Sequence, residues 1–137
     1  MTVRDLLRTL VDLGGSDLFL SAGAPPMLKV EGVVSPLAER ALAAADVQAM
    51  VASITSDDQR TQFASDRELN LPLVLEGVGR FRVNLFWQRG EPALVARYIK
   101  SVVPSIAELG LPDLLHKLIM EDRGLVLLVG GTGTGKS

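Results

Sequence analysis

The stretch "RELNLPLVLEGVGRFRVNLFWQRGEPALVARYIK", residues 67–100, decides how this chain folds. At its centre Arg80, Arg82 and Asn84 alternate with Phe81, Val83 and Leu85. That two-residue period belongs to a strand with one face buried and one face wet. Gly77-Val78-Gly79 and Gly90-Glu91-Pro92 punctuate the run as turns, leaving the strands RELNLPLVLEG, GRFRVNLFWQRG and PALVARYIK. The block reads as an antiparallel sheet with helices to one side. The fold class is therefore α+β, in a domain ending near Lys100.

Toward the N-terminus the period changes. Val3, Leu6, Leu7 and Leu10 recur at helical spacing and Gly14-Gly15 supplies a stop, predicting a helix over about residues 3–13. "SDLFLSAG" follows as a short strand, and Asp17 in it is expected to fix the turn after the glycine pair. Pro25-Pro26 keeps the next segment extended. Met27–Val30 and Val33-Val34, flanking Glu31-Gly32, then form a hairpin signal. Asp46 is expected to cap a helix running to Ile54, and Ser56 one running to about Ala64.

Beyond Lys100 a linker is expected over residues 101–112. Pro104 breaks the strand, Ser105 can cap a short turn with Glu108, and Pro112 can start a helix. Leu111, Leu114, Leu115, Leu118 and Ile119 give that helix an apolar side. Leu125–Val129 is continuously apolar, as a strand buried on both faces of a parallel sheet would be. Without parallel neighbours and covering helices, such a strand is expected to be sticky or poorly ordered in isolation.

The chain closes on Gly130, Gly131, Thr132, Gly133, Thr134, Gly135, Lys136 and Ser137, which match G-x-x-x-x-G-K-[ST] after an apolar run. Glycines let successive N–H groups converge on phosphate oxygens with no Cβ in the way. Lys136 would reach the outer phosphates of ATP as a point charge, and the Ser137 hydroxyl would ligate Mg²⁺ through the nucleotide complex. With no helix, metal-holding carboxylate or water-orienting residue following the loop, these 137 residues alone are expected to bind ATP weakly and not hydrolyse it.

The bulk numbers narrow the class. A 47% hydrophobic share supports a folded chain, and a net charge of −2 gives no reason to expect a nucleic-acid partner. Cysteine is absent, which excludes disulfides and thiolate metal sites. Arg4, Asp5, Arg8 and Asp12 break every apolar run near the N-terminus, so no export signal is expected and a cytoplasmic location is the default. The single histidine, His116, is expected at the surface, and Ser16, Asp17 and Ser21 have no nearby histidine with which to build a hydrolytic triad. Phe86 and Trp87 point to opposite faces of their strand, so one of them lies outside the main core.

"GGSDLFLSAGAPPMLKVEG", "GVGRFRVNLFWQRG", "LGLP" and "RGLVLLVGGTGTGKS" together resemble segments of the type IV pilus retraction ATPases of the PilT/PilU type, leaning slightly to the PilU side. The resemblance runs from the first helix to Ser137. It implies a PAS-like N-terminal domain over residues 1–100 and, over 113–137, the first helix, strand and phosphate loop of a RecA-like ATPase domain cut short at that loop. It further implies a homo-hexameric motor at the cytoplasmic face of the inner membrane, powering pilus retraction and twitching motility. Its partners would be an inner-membrane platform protein and a paralogous retraction ATPase. Arginines of the family's N-terminal domain approach nucleotide phosphates, which makes Arg82 and Arg97 the candidates by position, with Arg80 a weaker third. Pattern alone reads the same arginines as an exposed, solvated sheet face. Two other readings stay open: a stand-alone PAS-like interaction module with a vestigial loop, and another kind of P-loop enzyme with an unrelated front domain.

Overall fold

In the computed structural model, which describes residues 1–100 and 104–131, the chain divides into two compact units, Met1–Ser101 and Val102–Ser137. The first unit opens with α1 (Val3–Asp12). Thr2 and Asp5 cap it reciprocally: the Asp5 amide donates to Thr2 Oγ1, and the Thr2 amide donates to Asp5 Oδ2. Its apolar side, Val3, Leu6, Leu7 and Leu10, is fully buried.

Six strands follow in one sheet: β1 (Asp17–Ser21), β2 (Met27–Val30), β3 (Val33–Pro36), β4 (Glu68–Leu75), β5 (Gly79–Gln88) and β6 (Glu91–Ile99). Their order is β3-β2-β1-β6-β5-β4, and every neighbouring pair is antiparallel. Two tight hairpins set the register. Glu31 and Gly32 take φ of 49° and 85°, and Arg89 and Gly90 take 52° and 84°. Positive φ at both central residues is the type I′ turn, whose twist matches that of paired strands. The second turn corrects the expectation of Gly90-Glu91-Pro92, since Gln88 already pairs with Glu91. Pro92 lies inside β6, one residue before the β1 ladder begins at Ala93, where its missing N–H forfeits no bond to β1.

Between β3 and β4 lie α2 (Ala44–Ala52) and α3 (Asp57–Asp66). Ser56 caps α3 as expected, in a reciprocal pair with Gln59. Asp46 does not cap α2 from its N-cap position. Ala43 stands there, and Asp46 sits three residues on, reaching back to accept from the Ala43 amide at 2.9 Å. The carboxylate still satisfies an orphan donor of the first turn, but from inside the helix.

One side of the sheet carries the core. Leu18 and Leu20, Phe81, Val83 and Leu85, and Leu94 and Ala96 form one buried cluster with α1, Val47 of α2 and Phe63 of α3. Burying each large side chain is worth about 1.5–3 kcal/mol, which is what fastens three short helices to the sheet.

In the second unit Ser105 and Glu108 bond reciprocally, as the capping pattern predicts. The helix there, α4 (Leu114–Leu118), is five residues long, begins two residues after Pro112 and buries nothing. The strand expected at Leu125–Val129 does not form: these residues have no ladder partner and stand between 55% and 92% exposed. An apolar run becomes a strand only when another strand satisfies its N–H and C=O groups, and none among the described residues does so.

Candidate functional site

The sheet face turned away from the helices is where the sequence-predicted arginines lie. β4, β5, β6, β1 and β2 place Pro72, Arg82, Arg97, Asp17 and Lys29 directly opposite one another in a single row across five strands. Arg82 and Arg97 are therefore neighbours about 4.5–5.5 Å apart at Cβ. Three cations against one carboxylate give the row a formal excess of two positive charges, in a chain whose net charge is −2. Arg80 lies on the next rung, opposite Ile99.

Asp17 breaks the expectation made for it. It fixes no turn. It opens β1 and carries the only buried carboxylate among the described residues, at 3% exposure. Arg97 Nε donates to its Oδ1 at 2.8 Å, and the Ser16 hydroxyl donates to its Oδ2 at 2.8 Å. Ser16 is itself fastened on both sides: its amide donates to the Lys29 carbonyl, and its carbonyl accepts from the Tyr98 amide. Asp17 is thus anchored on two flanking strands. Sequence reasoning missed it because its partner stands 80 positions away. A charged residue heading a strand otherwise made of Leu, Phe and Leu was the available signal.

Arg97 keeps a 69% exposed side chain while bound through Nε, so its Nη1 and Nη2 have no partner among the described residues. Arg82, unlike Arg97, makes no ion pair among them, and it borders an open hollow of about 310 Å³ with Asn70, Pro72 and Ile99. Like charges set opposite each other on a sheet weaken it unless something neutralises them. Guanidinium groups are suited to phosphate, being planar, permanently charged and rich in donors. The row thus joins an excess of positive charge to a guanidinium chemistry that matches a multiply charged oxyanion.

Beside it, Asn84 Nδ2 donates to Glu68 Oε1 at 3.1 Å and to Asn70 Oδ1 at 3.2 Å, closing a polar cross-strand pair. Phe86 lies on this outer face. Trp87 lies on the helix side, stacked on Phe63 with ring centroids 5.7 Å apart.

Of the expected phosphate loop, Gly130 and Gly131 are described and carry no regular secondary structure. Thr132, Gly133, Thr134, Gly135, Lys136 and Ser137 lie outside the described residues, and so does the Mg²⁺ role expected of Ser137. No helix among the described residues is long and apolar enough to cross a membrane.

No protein-family model matches the chain. Among curated proteins it is 44% identical to the type IV pilus ATPase PilU of Pseudomonas aeruginosa, over all of this chain and 36% of that protein. It is 39% identical to the type IV pilus retraction ATPase PilT of the same organism, over all of this chain and 40% of that protein. Among solved structures, the pilus retraction motor PilT with bound ADP superposes at a TM-score of 0.82 and 33% identity, over 99% of this chain and 40% of that one. The chain thus spans about two fifths of the length of the proteins it is similar to.

Proposed function

Because the chain is homologous over its whole length to the type IV pilus ATPases PilU and PilT, we propose that it is the N-terminal part of an ATP-driven motor for pilus retraction and twitching motility. The likeness along the full chain, at 44% identity to PilU, is the observation that carries this reading. On it, residues 1–100 are the PAS-like domain, 101–112 the linker, and 113–137 the start of the RecA-like ATPase domain. Gly130 to Lys136 cradle the nucleotide's phosphates, and Ser137 ligates Mg²⁺. The whole protein assembles as a homo-hexamer at the cytoplasmic face of the inner membrane, against a platform protein and alongside a paralogous retraction ATPase. ATP hydrolysis belongs to that whole protein, and the 137 residues alone are inactive.

Arg82 and Arg97 are the contribution of the first unit. Their pairing on one exposed rung suits them to balance phosphate charge, which ATP carries and releases in the hydrolytic step. Arg82 is the cleaner probe, since it has no ion pair among the described residues whose loss would confuse the result. In the full-length protein Arg82→Ala is expected to lower kcat/KM for ATP by about 10- to 100-fold, with its Tm within a few degrees of the parent. Unchanged turnover would remove the arginine pair from the mechanism. Retained twitching in cells carrying a full-length deletion would remove the motor reading.

A further inference from the structure

We infer that Asp17 is a positioning residue for Arg97, setting the direction in which that guanidinium offers its two terminal nitrogens to a phosphate group. The inference rests on the phosphate reading of the Arg82–Arg97 pair and adds to it a residue that neither strand pattern nor homology assigns.

The geometry has three parts. The Asp17 side chain is 5% exposed, whereas that of its partner is 69% exposed, so the carboxylate sits at the root of the arginine and not at its tip. The contact uses Nε, the nitrogen nearest the backbone, at 2.8 Å. A guanidinium held there is fixed in its plane, while Nη1 and Nη2 make no hydrogen bond among the described residues. The carboxylate cannot swing to follow, because Ser16 occupies its second oxygen and is itself hydrogen-bonded to both flanking strands.

The chemistry follows from that order. An arginine free to rotate loses side-chain entropy when it meets a phosphate, and one already held loses less. A buried carboxylate also offsets part of the repulsion between Arg82 and Arg97 without touching the nitrogens that would bind. Arg82 has no such brace among the described residues, so the two arginines differ: Arg97 is fixed in place and Arg82 is free to adjust.

The test uses Asp17→Asn, Arg97→Gln and the double variant in the full-length protein. Affinity is read with a fluorescent ATP analogue, and the Arg97 Nε–H is followed in side-chain nitrogen-15 spectra without nucleotide. Asp17→Asn is expected to weaken analogue binding about 10-fold and to abolish the hydrogen-exchange protection of the Arg97 Nε–H. The double variant should bind no more weakly than Arg97→Gln alone, because Asp17 acts only through Arg97. A merely structural Asp17 would weaken binding by the same factor in both backgrounds, and that result overturns the inference. Unchanged affinity in Asp17→Asn overturns it as well. If Arg97→Gln and Arg82→Ala both leave affinity intact, the phosphate reading itself fails and the positioning role falls with it. That failure is distinguishable because the arginine variants are then silent before Asp17 is touched.

Discussion

Gly15 shows how tightly the residues around Asp17 are set. A Cβ at this position would stand 2.6 Å from Leu10 Cδ1 and 3.1 Å from the Lys29 carbonyl oxygen. The glycine amide also donates to the Leu10 carbonyl at 2.8 Å, so the turn cannot move outward without losing that bond. Gly15→Ala is expected to cost about 1–3 kcal/mol, the usual range for overpacking, and to lower the urea midpoint with m unchanged. A second residue-scale effect concerns acid. The backbone amide of Thr2, and then its hydroxyl, hold the Asp5 carboxyl below its ordinary range. A carboxyl that titrates lower in the folded state stabilises the fold fully above its unfolded pKa, and that contribution is lost as pH falls through the folded one. The first turn of α1 is thus expected to lose amide-exchange protection on acidification below the ordinary carboxylate range. In Asp5→Asn that acid-dependent step should vanish. A wild-type pH profile indistinguishable from the variant's would show that the cap contributes nothing.

At the scale of elements, α3 reaches the core through a single side chain. Phe63 is its only buried residue, and it stacks on Trp87 at an interplanar angle of 25°. The Arg67 guanidinium lies 4.7 Å from the centre of the same indole. Phe63→Ala is expected to cost about 3–5 kcal/mol and to loosen α3 before the rest of the sheet. Trp87 is the only tryptophan, so its emission reports that release directly: a red shift at low urea, ahead of the main transition, is the expected signal. A single coincident transition would mean that α3 is held by more than this stack. The same elements mark what could be read from the chain. The alternation of Arg80 to Leu85 was sufficient for β5, and Ser56 was sufficient for the start of α3, because both are local patterns. The Arg89-Gly90 turn was misplaced because Pro92 resembles a turn residue, and only the ladder register reveals that it can sit at the head of β6. Arg82 and Arg97 could be named from position, but their alignment with Asp17 could not. A register joining residues 17, 82 and 97 is a property of three strands together.

At the scale of the molecule, every buried hydrophobic residue among those described lies between Val3 and Ala96. The described residues of the second unit contribute none, and its apolar residues Ile119, Met120 and Leu125 to Val129 are exposed. The free energy of folding is therefore concentrated in the first unit, whose six-stranded sheet and three helices close one continuous core. A piece consisting of residues 1–100 is expected to unfold cooperatively, with a Tm within a few degrees of that of the 137-residue chain and a calorimetric enthalpy near 60–80 kcal/mol. The enthalpy discriminates more sharply than the Tm, because it scales with the residues that melt together. A value for the 137-residue chain about a third larger, in a single transition, would mean that the second unit melts with the sheet. Equal enthalpies for the two chains would assign the cooperative fold to the first unit alone. Arg82, Arg97 and Asp17 would then sit on a platform whose rigidity owes nothing to the segment carrying the glycine loop.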